Sequence, residues 1–327
     1  MSQLLSEYWT HFGTDVAITA IAAIGLYVCF IAGQFSLGHA ALLGSGAYAA
    51  GLISKKTELP FWFGLVVAVV AGCVLSVVMG ALLALRLREF YLAIGTLAFN
   101  FAVIVVVNNT KSLGGTSGLL GVRLRTTANL TLLLLIGVAL LVWQLERTRL
   151  GRAMRAIHDD ETMAAANGVR IWKVKLAAFA ISGAITGLAG GLNAHFLGLA
   201  RPDSFGFAQS TELWVPVIVG GSTMVGGPMV GAFVTGIIPE VINRKLELDP
   251  LIISGALLIL VALFRPSGLI RKGDVRRIRE RLGKAPSVGE LDPMIDPVDA
   301  AALQGEDAVV ELEEAQGTRV PQPGVVG

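Results

Sequence analysis

Charge is the scarcest property of this sequence. Only 15% of its 327 residues are Asp, Glu, Lys or Arg, against about 25% in soluble domains. Seven stretches carry none at all: 16–54, 59–85, 90–110, 126–145, 176–200, 213–239 and 250–264. With a mean hydropathy of +0.69, this excludes an ordinary soluble domain and places the chain among polytopic membrane proteins. The net charge of +2 points to no nucleic acid, because the charges are segregated along the chain. Cysteine is scarce too: Cys29 and Cys73 sit in separate apolar runs, which excludes a disulfide framework and leaves them as small packing residues. The four histidines, His11, His39, His158 and His195, have no ligand spacing, so no metal is expected. There is no G-x-x-x-x-G-K-[ST] loop, no H-E-x-x-H and no G-x-S-x-G. The chain therefore reads as neither an enzyme nor an ATP binder, and no cofactor is expected. The N-terminal stretch lacks a basic region with a small-residue cleavage site, so the first apolar run is expected to be retained as a span. No acidic or basic relay is evident mid-membrane, and an energised transporter with this sequence would need an external motor.

A spanning helix takes about 20 apolar residues. The run 16–54 has 39 residues, roughly twice the bilayer thickness at ~1.5 Å per residue, so it must turn, and Gly33-Gln34 is the expected turn. The run 213–239 contains "GGSTMVGGP" and is expected to break as well. The positive-inside rule assigns two segments to the cytoplasm: Glu146 to Lys175 and Arg271 to Lys284, each with seven basic residues. The side of the N-terminus is not set by this pattern. After Lys284 the chain has nine acidic residues and one Arg, with Pro and Gly interspersed, and too few large apolar residues for a core.

Glycine is what the membrane runs have in abundance. "GQFSLGHAALLGSGAYAAG", Gly33 to Gly51, places Gln34, Ser36 and His39 among glycines inside a charge-free run. Irregular backbone survives in hydrocarbon only where protein or water surrounds it. The segment therefore reads either as a discontinuous helix beside a cavity or as close packing by small residues. "VGGSTMVGGPMVGAFVTG", Val219 to Gly236, has the same texture, with Gly220, Gly221 and Ser222 at its break. Gly-interrupted segments in matching positions of two halves point to a transport path. Thr96 and Asn100 are polar residues within an apolar run. Asn100 reads as path-lining or as an interhelical hydrogen bond, the latter the plainer account. His195 reads as an imidazole snorkelled to the surface, and Glu212 and Glu240 as interfacial. Pro216 and Pro228 are expected to kink or start helices.

The loop 146–175 is too patterned for a turn. Gly151 to Gly168 reads as one short helix with Met154, Ile157, Ala164 and Gly168 on one face. Arg155 and Asp159 are spaced to pair. Small Ala164, Ala165 and Gly168 favour docking of a cytoplasmic partner over lipid contact.

Four blocks resemble the high-affinity branched-chain amino-acid ABC transporter permeases, of which urea and amide permeases are relatives. These are "GQFSLGHAALLGSGAYAAGL", "FYLAIGTLAFN" with "NNTKSLGGTSGL", "GRAMRAIHDDETMAAANGVRIWKVKLAAFAISGAITGLAGGLNAH", and "GGSTMVGGPMVGA". The resemblance implies an inner-membrane subunit. Its partners would be a second homologous permease subunit, two cytoplasmic ATPase subunits that hydrolyse the ATP, and an extracytoplasmic binding protein. It carries Gln34, Ser36, Gly38 and His39 over from the first block. From the loop it carries Arg152, Arg155, Asp159, Asp160 and Gly168, where the ATPase would dock. The chain departs from the family pattern at Phe101, where an acidic residue is usual, and at His158 before the Asp pair.

The expected fold is all-α. It is a polytopic helical membrane protein with about eight to ten passes, two structural repeats with discontinuous Gly-rich helices, and a disordered cytoplasmic tail. Residues 1–267 would form the permease domain, with the coupling loop 146–175, and 268–327 a basic then acidic tail. The expected function is amino-acid import by alternating access. Alternatives are a urea or short-amide permease and, from a different class, a stand-alone channel or facilitator. The expected path residues are Gln34, Ser36, His39, Thr96, Asn100, Gly220, Gly221 and Ser222. The expected coupling residues are Arg152, Arg155, Asp159, Asp160, Ala164 and Gly168.

Overall fold

A computed structural model describes residues 2–57, 59–87, 89–246, 250–265 and 268–269. The expected acidic tail and the whole of the second basic segment lie outside the described residues. Twelve α-helices run in chain order among them. The first five are α1 (Ser2–Phe30), α2 (His39–Lys56), α3 (Phe61–Met79, continued by a π turn Gly80–Ala84), α4 (Glu89–Asn109) and α5 (Ala128–Arg147). Next come α6 (Arg149–Asp159), α7 (Glu161–Ala166), α8 (Ile171–Leu197), α9 (Phe207–Glu212), α10 (Trp214–Gly220), α11 (Gly226–Leu246) and α12 (Pro250–Phe264). A two-residue antiparallel ladder, β1 (Leu119–Leu120) on β2 (Leu199–Ala200), closes one end.

Five stretches are long and apolar enough to cross a bilayer by length and composition: 7–30, 61–84, 90–109, 128–147 and 171–197. Contacts between helices set the depth of the rest. His39 bonds to Ser182 and Gly46 meets Gly187, so α2 ascends alongside α8. Glycine Gly236 of α11 lies against Val16, and Tyr8 donates to Glu240, so α11 runs antiparallel to α1. Leu269 N–H donates to Val219 O, so α12 ends beside the end of α10. Between α8 and α11 the chain crosses in an unusual way: a 3-10 turn (Pro202–Phe205), then α9 and α10. Phe205 O accepts from Asn100, midway along α4, so the turn is already inside the bundle. α1 to α5, α8, the 202–220 segment, α11 and α12 make nine bundle segments among the described residues, of which five are long and apolar enough to span by themselves. If all nine cross and the basic 146–175 loop is on the cytoplasmic side, as the positive-inside rule expects, α1 would start outside and α12 would end inside.

The core is organised around α8, which packs on α1, α2 and α3. Lipid tails provide no hydrophobic drive between helices, so close van der Waals approach has to. A Cβ at Gly46 would overlap the Gly187 carbonyl, one at Gly190 the Leu43 carbonyl, and one at Gly72 the Gly183 carbonyl. Large side chains fill the remaining space: Tyr27, Phe179, Ile21, Leu42, Met154 and Leu192 are fully buried.

Candidate functional site: two chain reversals held by one loop helix

The first reversal, 31–38, is where the long charge-free run turns. Gly33 has φ +71°, a backbone conformation open to glycine at no steric cost. From there to His39 the chain climbs without helical structure, and neighbouring helices supply its hydrogen bonds. Gln34 Nε2 donates to Lys175 O (3.2 Å), near the start of α8. Leu37 N–H donates to Thr96 Oγ1 (3.0 Å) on α4. Trp214 Nε1 donates to Ser36 O (3.1 Å) from α10, and the Trp214 ring stacks on Phe35 at 4.0 Å. His39 Nε2 meets Ser182 Oγ at 2.7 Å. Lys175 and Ser182 are roughly two turns apart on α8, so the segment rises by ~10 Å within the protein. Gln34, Ser36, His39, Thr96 and Asn100 are all buried. Asn100 Nδ2 donates to Phe205 O at 3.3 Å, the interhelical bond foreseen as its plainer account. Gln34 Oε1 and Asn100 Oδ1 have no partner among the described residues.

The second reversal, 221–225, differs in construction. Gly221 has φ +100°. Gly220, Gly227 and Gly231 bring α10 and α11 into backbone contact: a Cβ at Gly220 would overlap Gly227 O, and one at Gly231 would overlap Pro216 O. Gly220 and Gly221 are buried and Ser222 is half-buried. Pro228 falls in the first turn of α11, where its missing N–H is harmless.

The basic loop 146–175 corrects the expectation of one helix over Gly151 to Gly168. It forms two helices, α6 and α7, hinged at Asp160. Asp160 adopts an extended backbone, and its carboxylate accepts from Thr162 N–H (2.7 Å) and Met163 N–H (2.9 Å). That is an N-cap, which ends one helix and starts the next. Gly168, at φ +79°, closes α7: Val169 N–H bonds back to Ala164 O and Gly168 N–H to Ala165 O, a Schellman motif. Met154, Ile157 and Ala164 point into the protein, whereas Gly168 is exposed and off their shared face.

Arg155 does not pair with Asp159. It pairs with Glu146 at the end of α5 (2.8 Å), whose side chain is only 10% exposed, and Tyr27 of α1 donates to the same carboxylate. On α6 Arg155 faces inward and Asp159 outward, and the half-buried carboxylate wins the guanidinium. Arg155 Nη1 also donates to Thr223 O (3.2 Å), inside the second reversal. Three residues on, the backbone at His158 sits against Gly33, leaving 3.3 Å for an added Cβ, and the His158 ring lies 5.0 Å from Phe30. Helix α6 therefore touches both reversals. Lys175 of α8 pairs with Glu161 of α7 at 2.8 Å. The outer face of the loop carries Arg152, His158, Asp159 and Asp160, all exposed. A 650 Å³ groove opens there, bounded by Gly33, Phe35, Phe90, Asp159, Glu161 and Lys175.

One further expectation is corrected. His195 is not at the surface: it is 1% exposed, with Nδ1 against Gly191 O (2.9 Å) and its ring edge-on to Phe61. The last turn of α8 is covered by the start of α3, so the imidazole is packed inward. Glu212 lies on a groove: it ends α9, and with Asp15 of α1 it lines a 720 Å³ space between α1, α9–α10, α11 and α12. Asp15 escaped the sequence reading because the charge-free run starts one residue after it, although the helix starts well before.

A family model described as "Branched-chain amino acid transport system / permease component" matches residues 10–262. The high-affinity branched-chain amino acid transport system permease protein LivM of Escherichia coli (strain K12) is 31% identical over 307 residues, covering 82% of this chain and 71% of LivM. The permease protein LivH of the same organism is 31% identical over 132 residues, 40% of this chain and 42% of LivH. The ribose import permease protein RbsC of Haemophilus influenzae is 26% identical over 273 residues, 76% of this chain and 81% of RbsC. No solved structure matches the chain. The helical bundle of membrane passes, the two glycine-rich reversals and a match over most of the chain's length lead to one conclusion: the chain belongs to the permease family of branched-chain amino acid transport systems.

Proposed function

We propose that this chain is the permease subunit of an ABC importer of the bacterial cytoplasmic membrane, carrying branched-chain amino acids by alternating access. Its partners in this reading are a second homologous permease, two ATPase subunits and an extracytoplasmic binding protein. The carrying observation is that α6 touches both reversals at once, through Arg155 on Thr223 and His158 on Gly33. An ATPase docked on the outer face of α6–α7, at Arg152, Asp159 and Asp160, would move both reversals with one displacement. The reversals, with Gln34, Ser36, His39, Thr96, Asn100, Gly220, Gly221 and Ser222, are then the joints at which the helices beside the path change tilt. Support for the substrate class comes from the likeness to LivM, which exceeds that to the ribose permease in both identity and coverage of this chain.

The test is reconstitution of the complete transporter in liposomes, with its cognate binding protein. Leucine, isoleucine or valine should stimulate ATP hydrolysis and be taken up, and ribose should do neither. Uptake of ribose alone would overturn the substrate class. Uptake of leucine down its gradient without ATPase subunits would overturn the importer reading in favour of a facilitator.

A further inference from the structure

The 720 Å³ groove has an environment that hydrocarbon does not tolerate. Its lining includes Asp15, Thr19, Thr211, Glu212, Thr235 and Ser254 beside apolar Val16, Val215 and Leu258. Its depth follows from the helices that form it. Thr235 and Gly236 lie about ten residues above the cytoplasmic start of α11, ~15 Å, and Ser254 about ten residues above the end of α12. Glu212 lies roughly eight residues above the end of α10, ~12 Å. In a hydrocarbon layer of ~30 Å all of these are near the middle. Asp15 and Glu212 are both exposed and line the groove. Among the described residues neither carboxylate has a hydrogen-bond or ion-pair partner.

A bare carboxylate at mid-bilayer faces a bundle interior or a water-filled cavity, not lipid. The hydroxyls of Thr211 and Thr235 bond to their own helix backbone at 2.8 Å and neutralise no charge. The first reversal offers no rival path, since its polar side chains are packed between helices. We propose that this groove is the wall of the permeation path contributed by this subunit, and that Asp15 and Glu212 favour the cationic ammonium group of a passing solute. The apolar strip of Val16, Val215 and Leu258 suits an aliphatic side chain beside that ammonium. The choice of an amino acid as the solute rests on the proposed function; the water-filled, cation-favouring groove does not.

The test uses the assembled transporter in its membrane, with Cys29→Ala and Cys73→Ala as background and Thr235→Cys or Ser254→Cys as reporter. Methanethiosulfonate reagents of opposite charge are the probes. Both should react, the cationic reagent roughly tenfold faster than the anionic one, since a charged low-dielectric cleft concentrates counter-ions to about that degree. The ratio should fall towards one in Asp15→Asn/Glu212→Gln. Should that double variant fail to reach the membrane, raising salt in the unaltered groove should lower the ratio by screening. Leucine on its binding protein should slow the cationic reagent. No reaction with either reagent in any nucleotide state would overturn the proposal and show the groove covered by lipid or by the second subunit. Equal rates insensitive to salt would overturn the role of the carboxylates. Cation preference with protection by some other cationic solute, and none by amino acids, would support the groove and overturn the amino-acid reading alone.

Discussion

The two reversals solve one problem with different materials. Each turns the chain at the end of the bundle nearest α6, each has a glycine with positive φ, and each touches α6. The first is held by side chains that reach it from α4, α8 and α10, namely Thr96, Ser182 and Trp214. The second is held by backbone against backbone, through Gly220, Gly227 and Gly231. A hydrogen-bonded joint tolerates loss of one bond, because the others remain. A backbone-contact joint has no slack, because any side chain enlarges the gap everywhere along α10 and α11.

That contrast is open to direct attack, starting where the effect is largest. Gly220→Val should all but eliminate folded protein, because the new side chain meets the Gly227 carbonyl and overpacking typically costs 1–3 kcal/mol or, against backbone, more. Thermal unfolding in detergent should show a loss of order 3 kcal/mol or more. If Gly220→Val melts like the unaltered protein, α10 and α11 are not in backbone contact.

Next in size is Arg155→Ala. It strips Glu146 of its partner in a half-buried site and cuts the link to Thr223. Uptake should fall by an order of magnitude or more, a few kcal/mol of lost coupling, while binding of the ATPase subunits persists. Arg152→Ala, which removes a bond to Arg147 O at the end of α5 and a charge from the proposed docking face, should weaken ATPase binding but leave the ratio of solute moved to ATP hydrolysed unchanged. Equal effects of the two variants would place the coupling on the outer face of α6 alone.

The first reversal should respond more mildly. Trp214→Phe removes the donor to Ser36 O but keeps the stacking on Phe35, and should cost about 0.6–2 kcal/mol. A larger loss than for Gly220→Val would reverse the ranking of the two joints. The smallest effect is expected at Gly168, where the left-handed backbone costs a β-carbon about 1 kcal/mol. Gly168→Asn should melt closer to the unaltered protein than Gly168→Ala, since Asn enters that region more readily. If Ala is the better tolerated, the residue acts through contact with a partner rather than through its backbone.

Much of this was open to sequence reading, for reasons that are physical. A charge-free run twice as long as a bilayer has to turn, and the glycine with the polar residues marks where. The Asp160 hinge had a legible signal as well, an Asp just ahead of Glu-Thr-Met, but the apolar spacing of Met154, Ile157 and Ala164 continues across it and masks the break. The crossing at 202–220 was not legible. Nothing in the composition of "RPDSFGFAQSTE" says that α2 and α4 will enclose it. Glu212 was placed at the interface because it borders a charge-free run. Asp15 was lost by measuring spans from charge to charge, whereas a helix starts where its backbone bonds start. The partner of Arg155 depended on which way α6 faces, a matter of tertiary packing that spacing alone does not decide.

Nine crossings by the described segments would have a consequence for biogenesis. If α1 begins outside, its leading segment must be carried across the membrane as the chain is made. Residues 1–54 contain no Lys or Arg, and the first basic pair is Lys55-Lys56. Within residues 1–54 no positive charge therefore opposes export, and Glu7 and Asp15 add only acidic residues, which weigh little in topology. A pair of lysines placed ahead of Tyr8 would pit the insertion machinery against the packing of α1 on α8, and a reporter fused at that end would reveal which of the two sets the orientation.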